Sequence, residues 1–225
     1  MTRVLVVALA VLPSLASAQL CAGTPSFTEG RMRITAGGQF NKSAKAFTFG
    51  LGMGGRALFG DVVVSNVRFD DLGAAAYAFG VGAGSQFSLG RERRAQICPT
   101  ASISYLNGPK DLDPFGDGSV LIDLAETDIS FGISLGAMVN RSSDSPILAT
   151  ASAAVANSML RERDEDASGT TTTTTSETYG ILGVGVGFIF SRAIGLQIGS
   201  SIPVGLEGAT ASFGFTISVN FGRKG

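Results

Sequence analysis

The stretch Ser212-Phe213-Gly214-Phe215-Thr216-Ile217-Ser218-Val219-Asn220-Phe221 decides the fold class. Phe213, Phe215, Ile217, Val219 and Phe221 share one parity; Ser212, Gly214, Thr216, Ser218 and Asn220 share the other. A period of two sustained this long is a β-strand whose faces meet different environments. The pattern recurs upstream. Phe47, Phe49, Leu51 and Met53 alternate with Thr48, Gly50, Gly52 and Gly54, and Leu182, Val184, Val186 and Phe188 alternate with Gly183, Gly185 and Gly187. Ile129 to Leu135 and Ile97 to Tyr105 behave alike, with serines, a glycine and Cys98 on the minor face. No helical period competes over these stretches, so the chain reads as all-β.

What fills the non-apolar face separates two β architectures. A soluble sandwich also alternates, but it turns that face to water and usually carries Lys, Glu, Arg and Asp there. The stretches 47–54, 180–190, 193–202 and 209–221 carry none of these four residues. Glycine, serine and threonine stand there instead. Such small side chains suit the crowded interior of a narrow barrel whose large apolar residues face lipid. Composition agrees: of 225 residues 31 are glycine, 44% are hydrophobic and only 16% are charged. Beyond the first residues no apolar run approaches the ~18 needed for a membrane helix. The expected fold is an antiparallel transmembrane β-barrel.

Turn signals divide the chain into ten strands, near 28–40, 44–54, 58–69, 72–87, 95–106, 123–139, 147–160, 177–190, 194–202 and 209–221. Eight remain possible if 54–71 pairs otherwise, because Val62-Val63-Val64 breaks the alternation. With the chain entering from the periplasm, the long connections 107–122 and 161–176 both fall outside, as such barrels require. The periplasmic turns are then net basic and the outer connections net acidic.

The first segment reads as an address. Arg3, the apolar run Val4 to Leu12 and Ala16-Ser17-Ala18 form a secretory signal over 1–18. Gln19-Leu20 before Cys21 departs from a lipidation site, which wants a small residue there, so cleavage after Ala18 is expected. The organisation is thus a signal over 1–18, a periplasmic segment over 19–27, a barrel over 28–221 and a tail over 222–225. Export permits a disulfide, and two cysteines allow one pairing, Cys21 with Cys98.

Size, export, alternation, long outer loops and a last strand ending on Phe221 together resemble small bacterial outer-membrane barrels of the OmpA and OmpX kind. The resemblance implies residence in the bacterial outer membrane, contact with its lipid, and insertion by the barrel-assembly machinery that reads the aromatic-ended final strand. Two features depart from it. Gly222 to Gly225 follow Phe221, and the aromatic girdle is thin, with no Trp and three Tyr. Fifteen phenylalanines stand in, without the polar tip that favours the interface.

Function classes narrow by elimination. The absence of histidine removes Ser-His-Asp and Cys-His arrangements and His-containing metal sites. Hydrolytic barrels of the resembled kind use a histidine base, so no enzyme, catalytic residue, metal or cofactor is expected. A net charge of −1 gives no basic surface for nucleic acid. Charges within strands are few. Parity places Glu29, Arg31 and Arg33 low on the inner face, Glu126 and Asp128 high on it, and Arg68 inward beside Asn66. They form either a charged constriction or an internal ion-pair network. The low and high groups are too far apart to be one network. Asp111, Asp113 and Asp117 make an acidic outer loop; Phe115 occupies the third ligand position of a calcium loop, so the loop reads as solvated. Arg161 to Asp166 and the tract Thr170 to Thr175 read as a mobile surface loop. Two functions survive: a structural or surface-interaction barrel, and a narrow, porin-like passive channel for small solutes.

Overall fold

The computed structural model describes residues 21, 23–24, 31–55, 57–70, 72–89, 94–110, 112, 120–140, 145–166, 169–190 and 193–221. The expected signal segment, Glu29, the loop acids Asp111, Asp113 and Asp117, and the tail 222–225 lie outside the described residues. Eleven strands follow in order: β1 (Arg31–Phe40), β2 (Ala44–Gly54), β3 (Leu58–Phe69), β4 (Ala74–Ser85), β5 (Phe87–Leu89), β6 (Ala95–Asn107), β7 (Val120–Met138), β8 (Ile147–Asp166), β9 (Gly169–Ile189), β10 (Ile194–Val204) and β11 (Ser212–Phe221). β4 and β5 are one crossing. Both pair with β6 in a single register, Gly84 with Thr100 and Phe87 with Ile97. Their interruption falls opposite Pro99, which has no N–H to give the ladder.

Every neighbouring pair is antiparallel, and β1 closes on β11 from Met32–Phe221 to Phe40–Phe213. The result is a closed ten-stranded barrel. The eight-strand alternative fails because β3 pairs along its whole length with β2 and β4. Sterics explain how its valine triplet fits. Val62 and Val64 point outward, while Val63 turns inward between Gly50 and Gly80 in one row. A Cβ on Gly50 or Gly80 would come within 3.1 or 2.8 Å of the Val63 methyls. Glycine on both flanks makes the room.

The outward parity forms an apolar belt around the wall. Phe47, Phe79, Phe131, Val184 and Phe213 are all more than half exposed. A water-soluble protein does not carry such a continuous surface, whereas a lipid-facing one must.

β7, β8 and β9 run to 19, 20 and 21 residues, against the ~9–11 that a tilted strand needs to cross a bilayer. Their surplus lies on the side away from β1's start and β11's end. There β8 and β9 stay paired from Arg161–Thr174 to Asp166–Gly169. The region expected as a mobile loop at 161–176 is therefore a β-ribbon, and only 167–168 remains between its strands. Threonine is β-branched and favours extended backbone, which composition alone obscured. Thr171 to Ser176 are exposed on both faces of this ribbon, so no alternation marked it as a strand.

Replacing Val184 in the belt by Arg is expected to cost about 2–4 kcal/mol, the range for a cation facing lipid near the midplane. Thr172→Arg on the ribbon should change stability by less than ~0.5 kcal/mol. Urea unfolding in lipid vesicles, followed by heat-modifiable gel migration, measures both.

Candidate functional site in the barrel lumen

Alternation aims small side chains at the lumen, and the wall at mid-height follows that rule. Its hydroxyls pair with one another: Thr48 with Ser65 at 2.8 Å, Ser102 with Ser130 at 2.7 Å, and Ser201 with Ser212 at 2.7 Å. Gln39 Nε2 donates to Ser212 Oγ at 2.8 Å. These bonds satisfy buried polar groups without water. They surround a cavity of about 100 Å³ touched by Thr48, Ser102, Ser130, Gly183, Thr216 and Cys21.

Cys21 reaches that cavity because it is bonded to Cys98, with Cα atoms 6.2 Å apart. Cys98 is fully buried near the start of β6, inward and low, as its parity required. The segment continues to Gly23, which has φ +62° and lies backbone to backbone on Gly187 of β9. A Cβ on Gly187 would strike the Gly23 carbonyl, and one on Gly23 would stand 3.3 Å from Gln197 Cγ of β10. Close approach demands glycine on both sides, and the left-handed turn favours it at Gly23. Thr24 is buried beside this contact. The bridge thus holds Cys21, Gly23 and Thr24 inside the barrel, reaching from the β6 wall to the β9–β10 wall.

The low charges form a row. Arg33 lies opposite Asn220 on β11 and Gly52 on β2, and Gly52 lies opposite Asp61 on β3. Arg33 is 1% exposed and its Nε donates to Asn220 Oδ1 at 3.0 Å. Asp61, across Gly52, is the carboxylate whose field acts on it. The absent side chain at Gly52 leaves the path between them open. Arg31 shares Arg33's parity on β1 and pairs through its backbone with Gly54. Asp61 escaped the sequence reading because it adjoins the valine triplet, where parity is ambiguous; the register that sets Gly52 opposite it was the missing signal.

Arg68 is a correction. It is exposed on the outer face with Asn66, while Val67 and Phe69 are the inward residues of that strand end. The expectation assumed a polar inner face throughout, and the outer third of the lumen is apolar. Ala44, Ala46, Val67, Phe69, Ala76, Ala78 and Leu106 form one buried cluster there. Leu124 and Leu160 form a second, and Leu72 packs on both. Ala156, Tyr179, Ile181 and Leu206 form a third on the opposite wall.

Glu126 and Asp128 do point inward and sit high, between these clusters and the cavity, at 1% and 3% exposure. Ser158 Oγ donates to Glu126 Oε1, and Tyr179 OH donates to Asp128 Oδ1 at 3.5 Å. Among the described residues no basic side chain pairs with either acid, so the pair is not part of an ion-pair network. Arg33 and Asp61 belong to the other end.

No known protein family and no curated protein matches this chain. Solved structures do. The translocator domain of the autotransporter NalP from Neisseria meningitidis superposes with a TM-score of 0.55 at 8% identity, covering 85% of this chain and 87% of that one. The fold is that of a bacterial outer-membrane β-barrel. The N-terminal barrel of Pseudomonas aeruginosa OprF (TM-score 0.37, 13% identity, 85% of this chain and 98% of that one) is a weaker likeness of the same sort. So is Yersinia pestis Ail (0.42, 11%, 86% and 100%). With a complete lipid-facing belt on a closed barrel, the chain is an outer-membrane protein.

Arg33→Met removes the donor to Asn220 and the charge facing Asp61, and should destabilise the barrel by about 1–3 kcal/mol. Neither cysteine of the folded, unreduced protein should react with maleimide. Cys98→Ala should lower stability by roughly 2–4 kcal/mol and expose the segment that carries Cys21, Gly23 and Thr24 to protease. Stoichiometric labelling before reduction would contradict the bridge.

Proposed function

We propose that this chain is a non-enzymatic outer-membrane barrel with a structural or surface-interaction role rather than an open pore. The observation that carries this is the filling of the lumen at two levels. Cys21, Gly23 and Thr24 lie tethered across its lower part, and three apolar clusters occupy its outer third. A solute pathway needs continuous polar walls and room for water, and apolar constrictions oppose wetting. The surface that remains for partners is the ribbon of β7, β8 and β9, which stands clear of the membrane with a run of exposed threonines.

The signal over 1–18, contact with lipid headgroups by the acidic outer connections, and delivery by the assembly machinery through β11 belong to the same reading. N-terminal sequencing of protein from the membrane fraction should begin at Gln19. A narrow channel is the second reading, supported by the hydroxyl-lined cavity at mid-height.

Planar-bilayer recording separates the two. The oxidised protein is expected to show no discrete conductance steps. Reproducible steps from oxidised, folded protein would favour the channel. Steps appearing only in Cys98→Ala or after reduction would show that the tethered segment is what closes the lumen.

A further inference from the structure

From the paired buried carboxylates of Glu126 and Asp128 we infer a binding site for a hard divalent cation of the calcium class, built into the outer half of the barrel wall. The two acids occupy alternate positions of β7, so they share the inner face with Cα atoms about 6.5–7 Å apart. Both are more than nine-tenths buried. Each carboxylate has one oxygen engaged, by Ser158 or by Tyr179. The other oxygen of each, Glu126 Oε2 and Asp128 Oδ2, is buried with no hydrogen-bond partner. Two neighbouring anions in this setting, with no basic side chain facing them among the described residues, cost far more than a fold of ordinary stability tolerates. Protons or a bound cation must neutralise them, and the two unpartnered oxygens, on alternate inward positions of one strand, are placed to share a cation.

The donor set selects its class. Register places Ser104 of β6 and Ser158 of β8 on either side of Asp128, and Tyr179 adds a phenolic oxygen. Every available donor is oxygen, the preference of calcium and magnesium, and neither imidazole nor thiolate is offered to a softer metal. A double positive charge matches two carboxylates, whereas a single shared proton leaves one negative charge in place. Leu106 and Leu160 flank Glu126 in register, and Leu124 stands above it on the same face. This apolar surround keeps water out and strengthens the attraction. Among the described residues no group of three or more Asp, Glu, His or Cys comes together, so the hydroxyls are an integral part of the ligand set.

Terbium luminescence reads the site directly. The chain has three tyrosines and no tryptophan, and Tyr77 and Tyr105 face outward, so Tyr179 is the sensitiser within contact range. The full mature protein is refolded into detergent after EDTA treatment, with TbCl₃ or CaCl₂ present. Tyrosine-excited emission is expected to saturate near one terbium per chain, to be displaced by calcium, and to fall at least about tenfold in Tyr179→Phe and in Glu126→Gln/Asp128→Asn. Calcium at about a hundred times its dissociation constant should raise the unfolding temperature of the wild type by about 5–10 °C and that of the double variant not at all. The wild-type calcium shift and Tyr179→Phe decide the matter even if the double variant does not fold. Emission unchanged in Tyr179→Phe would place terbium on surface acids and overturn the site. So would a wild type whose unfolding temperature ignores calcium but responds to pH, the signature of a shared proton.

Discussion

Within lipid no water is available to a peptide group, so each N–H and C=O in the wall needs a partner from the next strand. That constraint makes the β1–β11 ladder the keystone of this molecule. Nine residue pairs from Met32–Phe221 to Phe40–Phe213 join the first and last strands and leave the sheet without an edge. Everything else inherits from closure. The inner faces of ten crossings must converge on one lumen, and the space there limits which side chains the inner parity can carry.

Glycine is how the chain meets that limit. Val63 fits because Gly50 and Gly80 flank it, and Arg33 lies in one row with Asp61 because Gly52 stands between them. A Cβ on Gly84 would strike the ring of Phe59, which is buried in the lower lumen. Gly23 and Gly187 let a second layer of backbone enter where side chains would have excluded it. The lumen is thus layered: a row of charge and a tethered segment below, paired hydroxyls at mid-height, an acid pair above them, and apolar clusters at the outer end. A uniform polar channel would show none of this segregation.

The ribbon obeys a different constraint. Above the membrane both faces of β9 from Gly169 to Ser176 meet water, so alternation vanishes on that strand while hydrogen bonding continues. Charged residues fill Arg161 to Asp166, and threonines fill the facing strand. Extended structure persists there because each β8 peptide pairs with β9 on one side and, through Val120–Asp166 to Ala125–Arg161, with β7 on the other. A ribbon of this length projects a surface clear of the lipid headgroups, while the barrel below holds it at a defined angle.

By itself the sequence determined the class of fold, most of the bounds of the crossings, the outward belt, and the inward placement of Cys98, Arg33, Glu126 and Asp128. These follow from the period-two geometry of a strand, which any ten residues express locally. The choice of ten crossings over eight waited on the pairing of β3 with β2 and β4. Nor could the sequence determine which residues of different strands share a row. Row membership depends on register, and register is settled only when the sheet closes on itself. Hence Asp61 opposite Gly52, Val67 and Phe69 inward in place of Arg68, and the ribbon at 161–176 were decided by tertiary structure. The positions of Cys21, Gly23 and Thr24 were likewise set there: two cysteines announce a bond, but only the meeting of Gly23 with Gly187 carries the segment across the lumen.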